Sequence, residues 1–126
     1  MHSSPIRNLL RRLLGYGGQA ADSAQSRIER GNVLSASGRH ADAVAAYQQA
    51  IAADPHSPEA HYRLGLAWRE QRKFDAAIAS YRRALTLKPD YIEAHNNLGV
   101  VLQLEMKLAE ARACYRRAVE LKPDFS

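Results

Sequence analysis

The sequence predicts an all-α fold, a solenoid in which a two-helix unit is stacked three times. The first observation is a period, since Pro55, Pro89 and Pro123 stand 34 residues apart in the 126-residue chain. The second is the pattern between the prolines. Apolar residues recur at helical spacing in two blocks, near 59–71 and 75–87 in the middle unit. A fixed period of this length with two helices per unit is typical of stacked helical hairpins.

Residues 1–23 lie before the repeat and predict a short amphipathic helix followed by a glycine-rich linker. Within residues 5–14, the arginines Arg7, Arg11 and Arg12 lie opposite an apolar face. That face consists of Ile6, Leu9, Leu10, Leu13 and Leu14. The arginines exclude a secretory signal, and the segment is too short and too charged to span a bilayer. We expect the apolar face to cap the first hairpin, to enter the groove of another copy, or to lie on a membrane surface.

The three units are predicted at residues 24–57, 58–91 and 92–125. The second and third share a histidine, a leucine-glycine pair, two alanines, a tyrosine and the closing proline. These are His61, Leu64, Gly65, Ala77, Tyr81, Ala84 and Pro89, and then His95, Leu98, Gly99, Ala111, Tyr115, Ala118 and Pro123. The first unit keeps Gly31, Leu34, Ala43, Tyr47, Ala50 and Pro55. Glycine within a helix costs about 1 kcal/mol relative to alanine, so glycine at three equivalent places predicts close backbone contact between helices.

Helix starts are predicted from capping residues. Ser57 precedes Pro58, which suits the first helical position of the second unit. Asp90, with Glu93 three residues later, has the form of a capping box for the third unit, and Asp22 takes the matching place before the first. Asp124 takes that place again after the third unit, which predicts that a further helix follows and that the chain is part of a longer protein.

The period and the alternation of small and large residues resemble the tetratricopeptide repeat over residues 24–125. The resemblance implies a right-handed superhelical solenoid whose first helices line a concave groove. The stretch from Glu93 to Gly99 and the ending at residues 121–125 are most similar to the repeats that precede O-linked N-acetylglucosamine transferases and related bacterial proteins. One alternative function is therefore a substrate-recruiting array at the front of a larger glycosyltransferase.

The resemblance also implies which side chains form a peptide-binding groove. By position in the repeat they are Asn32, Tyr62, Arg63, Leu66, Arg69, Asn96, Asn97, Val100, Gln103 and Leu104. Chaperone-binding members of the family hold a peptide carboxyl terminus with five polar or basic side chains. Only Asn32 matches that set, because Ile28, Arg63, Glu93 and Asn97 occupy the other four places. Capture of an acidic carboxyl terminus by that arrangement is therefore not expected.

The chain shows no sign of catalysis. It has no phosphate-binding glycine loop, no nucleophile paired with a base and no metal-ligand spacing, so we expect no enzyme activity, no cofactor and no metal site. His61 and His95 at equivalent positions are interpreted as packing or capping residues. Cys114 is the single cysteine, which excludes an intrachain disulfide and favours a reducing, cytoplasmic location.

The charge pattern bears on the partner. The net charge is +5, and the arginine pairs at residues 82–83 and 116–117 are interpreted as a solvated outer face. The aromatic side chains are assigned to the core, so we expect no nucleic-acid partner. The leading interpretation is a non-catalytic protein-interaction scaffold that binds a peptide or a helix in its groove. A self-assembling adaptor, or one that binds a membrane surface as a minor alternative, would depend on residues 5–14.

Overall fold

The computed structural model describes residues 23–122, which form six α-helices. They are α1 (Ala24–Ala36), α2 (His40–Ala53), α3 (Pro58–Glu70), α4 (Phe74–Leu87), α5 (Ile92–Leu104) and α6 (Leu108–Glu120). Between residues 23 and 122 there are no strands, which confirms the predicted all-α helical repeat. The predicted leucine-rich helix at residues 5–14 and the chain end at residues 123–126 lie outside the described residues.

The helices pair as three hairpins that stack in series. The most extensive contacts join α1 to α2, α3 to α4 and α5 to α6, and the next most extensive join α2 to α3 and α4 to α5. The first helices α1, α3 and α5 also contact one another in sequence, whereas the second helices make no comparable contacts. The first helices therefore lie on the inner side of the stack. Within residues 23–122, no helix is long and apolar enough to cross a membrane.

The helical glycines make room for tyrosine rings. A Cβ atom built on Gly65 would lie 2.6 Å from Cε1 of Tyr81, and one built on Gly31 would collide with Cε1 of Tyr47 in the same way. Such a distance is far inside van der Waals contact, so any larger residue would collide with the ring. The expectation of backbone-to-backbone contact was therefore wrong, because the tyrosine of the second helix crosses the first helix at the glycine.

The apolar core lies both within and between hairpins. One cluster of buried residues joins the first two hairpins, around Ile28, Tyr47 and Leu64, and another joins the second and third, around Tyr81 and Leu98. Trp68 packs against both clusters. Each hairpin thus buries its apolar face only by stacking on its neighbour, as expected for a solenoid.

The observed helix caps agree with the cap predicted from the sequence at one helix and differ from the predicted cap at two. The hydroxyl of Ser57 accepts a hydrogen bond from the backbone N–H of Ala60, as predicted. The first helix is capped by Ser23, which accepts from the N–H of Ser26, so the predicted cap at residue 22 is one residue too early. The capping box at Asp90 was also wrong. Tyr91 takes the N-cap position there, without a side-chain hydrogen bond.

The equivalent histidines hold the turns that join the hairpins. Nε2 of His61 donates to the carbonyl oxygen of Pro55 at 3.1 Å, and Nε2 of His95 donates to that of Pro89 at 2.9 Å. Burial lowers the pKa of His61, which favours the neutral ring. Among the described residues, no group of three or more His, Cys, Asp or Glu side chains lies close enough together to hold a metal ion.

The turn inside each hairpin requires a left-handed backbone at one position. Gly38 has φ 79° there, and the residues one and two periods later are Arg72 with φ 60° and Met106 with φ 61°. Glycine adopts this conformation freely, whereas side chains with a Cβ strain it. The first turn is therefore relaxed, and the second and third turns keep a large side chain at an energetic cost.

Candidate functional site

Two amide side chains on the inner helices are oriented from behind by tyrosine hydroxyls. The hydroxyl of Tyr47 donates to Oδ1 of Asn32 at 2.6 Å, and the hydroxyl of Tyr115 donates to Oε1 of Gln103 at 3.0 Å. Each of these amides therefore uses its oxygen inside the protein. Its NH₂ group remains as a donor on the inner face. Sequence reasoning found both amides but not the tyrosine that orients each one.

The middle hairpin lacks this arrangement. Tyr81 is fully buried, and its hydroxyl has no hydrogen-bond partner among the described residues. The reason is in the sequence, since Leu66 stands where the first hairpin has Asn32 and Arg69 stands where the third has Gln103. Leucine offers no polar atom and arginine offers only donors. Burial raises the pKa of Tyr81 well above its usual value, so the hydroxyl stays protonated.

Asn97 is occupied by contacts inside the protein. Its Oδ1 accepts from Nη1 of Arg69 at 2.6 Å, and its Nδ2 donates to the hydroxyl of Tyr62 at 3.0 Å and to the carbonyl oxygen of Glu93 at 2.9 Å. Both polar atoms of this amide are thus used. Asn97 serves to link the second hairpin to the third, and a peptide would have to break these bonds to reach it.

Tyr62 is part of the core and provides no open apolar surface. The residue is only 9% exposed, and its ring centroid lies 4.9 Å from that of Tyr91 and 5.9 Å from that of Tyr81. Burial raises the pKa of Tyr62, and it raises the pKa of Tyr91 to about 12. Both hydroxyls are therefore neutral at physiological pH. The assignment of Tyr62 to the peptide-binding groove stays a prediction, and this packing leaves little of the ring open to a ligand.

The remaining predicted groove residues divide between two regions. Arg63 lies beside Tyr62, with Nε 3.6 Å from a carboxylate oxygen of Glu59. Leu66 is half-buried, whereas Val100 and Leu104 are exposed. Asn96 is separate, because it borders a hollow of about 200 Å³ with Ala118, Val119 and Lys122 on the open side of the last hairpin.

A second concavity lies away from the groove, between α4 and α6. It has a volume of about 490 Å³ and is bordered by Cys114, His95 and the arginines Arg82 and Arg117. Arg82 pairs with Glu110 at 2.9 Å and Arg117 with Glu120 at 3.3 Å. Burial raises the pKa of Cys114, which keeps the thiol unreactive. With both cations paired and the thiol protonated, this hollow has no evident chemistry.

The repeat is recognised independently by sequence comparison. A model of the tetratricopeptide repeat matches residues 28–92, and a second model of the same repeat matches residues 92–125. The chain belongs to the tetratricopeptide-repeat (TPR) family. No curated protein sequence matches it closely enough to count as a relative.

Solved structures with this fold include TPR domains with bound peptides. The first TPR of Spaghetti (RPAP3), bound to the HSP90 peptide SRMEEVD, is 28% identical with a TM-score of 0.79, and the match covers 82% of each chain. The second TPR of the same protein, bound to the same peptide, is 25% identical with a TM-score of 0.78, covering 82% of this chain and 95% of that one. MamA is 26% identical with a TM-score of 0.79, covering 82% of this chain and 61% of that one.

These comparisons establish that the chain contains TPR repeats and that it folds as a helical solenoid. The narrower resemblance to the repeats of O-linked N-acetylglucosamine transferases is not shown by them and stays a prediction.

Removing the hydroxyl of Tyr81 is expected to have the opposite effect to removing that of Tyr47. Tyr47→Phe loses the bond to Asn32 and should lower the free energy of unfolding by about 1 kcal/mol. Tyr81→Phe removes a buried hydroxyl that has no partner, so stability should stay the same or rise by up to about 1 kcal/mol. Urea unfolding followed by circular dichroism measures both. Equal losses in the two variants would contradict the assignment of partners.

Proposed function

We propose that this TPR chain is a non-catalytic interaction scaffold that binds a protein or peptide ligand along the inner face of α1, α3 and α5. The observation that carries the proposal is the pair of oriented amides, Asn32 on α1 and Gln103 on α5. Each presents an NH₂ donor whose position is fixed by a tyrosine behind it. Donors fixed in advance lose little side-chain entropy when they bind the carbonyl oxygens of a peptide backbone.

The structural neighbours support a peptide as the ligand class, because both Spaghetti TPR domains are bound to an HSP90 peptide. The peptide itself is expected to differ. Ile28, at one of the places where chaperone-binding members use a polar or basic side chain, is only 1% exposed. Asn97, at another, is bonded to Arg69 and Tyr62. We therefore expect SRMEEVD to bind this chain weakly or not at all.

The test converts each oriented donor into an acceptor without removing the acceptor that its tyrosine needs. Asn32→Asp and Gln103→Glu keep an oxygen for Tyr47 and Tyr115 but lose the NH₂ group. Peptides selected from a random display library on the wild-type chain should bind each variant about tenfold more weakly by fluorescence polarisation. The melting temperature should stay nearly unchanged, because the internal bonds remain.

Gln48→Glu is the matched control, since Gln48 is an exposed amide on the second helix α2. This variant changes the net charge by the same amount and should bind the selected peptides as the wild type does. If all three variants bind the selected peptides as tightly as the wild type does, the oriented amides are not part of the binding surface. If all three are weakened equally, the effect is one of net charge alone.

A further inference from the structure

The two ends of the stack expose surfaces that the inner hairpins bury against a neighbour. At the first junction α2 packs on α3, and at the second α4 packs on α5. Among residues 23–122, no hairpin precedes α1 or follows α6. The outer faces of α1 and α6 are therefore the two halves of one further junction of the same kind, and a second copy of the chain could supply the missing half.

The 34-residue period shows which residue at the front of the stack takes the place of a buried one. Leu64 on α3 and Leu98 on α5 are 8% and 4% exposed, and each belongs to a cluster that joins neighbouring hairpins. The residue at this place on α1 is Arg30, which is exposed. An arginine thus replaces a junction leucine on the front face.

The rear of the stack shows a matching replacement. Val44 on α2 and Ile78 on α4 are buried and belong to the same two clusters. The residue at this place on α6 is Arg112, which is exposed. Each end of the solenoid therefore carries an arginine at a position where both internal junctions have an aliphatic side chain.

The rest of the two end faces suits stacking. Val33 on α1 is exposed and corresponds to Val101, which is fully buried in the second junction. Val119 on α6 is exposed and corresponds to Leu85, which packs against the cluster of that junction. Apart from the arginines, α1 of one copy thus fits on α6 of another much as α5 fits on α4.

One ion pair of the second junction could also be repeated between copies. Arg82 on α4 pairs with Glu110 on α6 at 2.9 Å. Arg116 lies one period after Arg82, and Asp42 lies two periods before Glu110, so these two residues would take the same places across a junction between copies. Exposed pairs of this kind contribute little, and this one does not decide whether copies stack.

The charges of Arg30 and Arg112 are not neutralised within residues 23–122, where neither residue takes part in an ion pair. On α6, both carboxylates are held by other arginines, Glu110 at 2.9 Å and Glu120 at 3.3 Å. On α1, Glu29 is adjacent to Arg30 in sequence and therefore lies on a different side of the helix. A junction between two copies would enclose two cations without a carboxylate of its own, and burying unpaired charges is costly.

We propose that Arg30 and Arg112 prevent this chain from polymerising end to end. Packing of the front of one copy on the rear of another leaves a free front and a free rear, so such a stack would grow into an open filament. The two arginines close both faces to a second copy and keep each solenoid separate. This block is independent of the ligand that the groove binds.

The test restores the residues of the internal junctions in the full chain. Arg30→Leu takes the residue found at Leu64, and Arg112→Val takes the residue found at Val44. The weight-average mass of the double variant, measured by light scattering, should rise at least twofold between about 10 µM and about 200 µM protein, because association follows mass action. The mass of the wild-type chain should stay constant over this range.

Two double variants serve as controls. Arg30→Lys with Arg112→Lys keeps both charges and should stay as monomeric as the wild type. Arg83→Leu with Arg117→Val makes the same change in charge and apolarity at exposed residues of the outer face, and it should also leave the mass constant.

The single variants test the direction of stacking. Arg30→Leu provides a front without a charge, and Arg112→Val provides a rear without one. Each alone still places one arginine in every junction and should remain monomeric. An equimolar mixture of the two should form a one-to-one dimer and grow no further, because the other two ends of that dimer keep their arginines.

Several outcomes would overturn the block. A constant mass for the variant with Arg30→Leu and Arg112→Val, with its helical circular dichroism intact, would show that the arginines do not prevent stacking. An equal rise in the outer-face control would show that any exposed apolar substitution has this effect. Dimers of Arg112→Val alone would mean that the rear face pairs with itself, and wild-type chains that associate as strongly as the double variant would mean that no block exists.

Discussion

Replacing Gly65 by alanine is expected to lower the free energy of unfolding by about 2 kcal/mol, although alanine is the better helix former. The helix preference alone would add about 1 kcal/mol of stability. Against this, the new methyl group would lie 2.6 Å from Cε1 and 2.7 Å from Cδ1 of Tyr81, whose ring is fully buried and cannot retreat. Forcing an extra carbon into a packed site costs about 1–3 kcal/mol, and the cost of this collision lies at or beyond the upper end of that range.

The matched control is Gly99→Ala, which repeats the substitution one period later. Its methyl group would lie 2.8 Å from Cε1 of Tyr115, but this ring is only half-buried and can shift. We expect little net change there. Thermal unfolding should show a drop of about 10 °C for Gly65→Ala.

A rescue experiment separates ring collision from other causes. Tyr81→Leu shortens the side chain that Gly65 accommodates, so adding Gly65→Ala to it should cost at least about 1 kcal/mol less than adding it to the wild type. Additive losses in the double variant would mean that the glycine is required for a reason other than the ring.

The repeat and the places where its helices cross could be predicted from the sequence because they depend on residue size at a fixed period. The positions of Gly65, Tyr81 and Ala84 determine where helices can approach, and size is visible in the sequence. Partners of polar atoms were not predictable in the same way. Arg69 and Asn97 are 28 residues apart on neighbouring hairpins, and their bond depends on how the hairpins stack.

The capping box predicted at Asp90 also failed because its outcome depends on tertiary contacts that are not visible in the sequence. Asp90 and Glu93 have the right spacing for a capping box, but the cap is decided by tertiary packing. The ring of Tyr91 lies against that of Tyr62, and the N–H of Tyr91 donates to the carbonyl oxygen of Lys88 at 3.1 Å. These contacts make Tyr91 the residue that precedes the helix, so the carboxylate of Asp90 stands one position too early. Ser23 and Ser57 occupy the position equivalent to Tyr91 and do cap their helices.

Replacing Tyr62 by alanine is expected to cost about 3–5 kcal/mol, the usual range for losing a buried aromatic side chain. The ring packs on Tyr81 and Tyr91, and its hydroxyl accepts from Nδ2 of Asn97. The contacts with Tyr91 and Asn97 join the second hairpin to the third, whereas the contact with Tyr81 lies within the second hairpin. Because a solenoid is stabilised by contacts between neighbouring units, the third hairpin should open before the first two.

Amide hydrogen exchange measures this directly. In Tyr62→Ala, the protection of backbone amides should fall strongly over residues 92–120 and much less over residues 24–53. A uniform loss of protection along the chain would contradict a local role for Tyr62. Tyr62→Phe is the control, since it keeps the ring and loses only the hydroxyl, at a cost of about 1 kcal/mol. The consequence for binding studies is practical. Tyr62→Ala would open the third hairpin and displace Gln103, so weakened binding in that variant would report folding, whereas Asn32→Asp reports contact with the ligand.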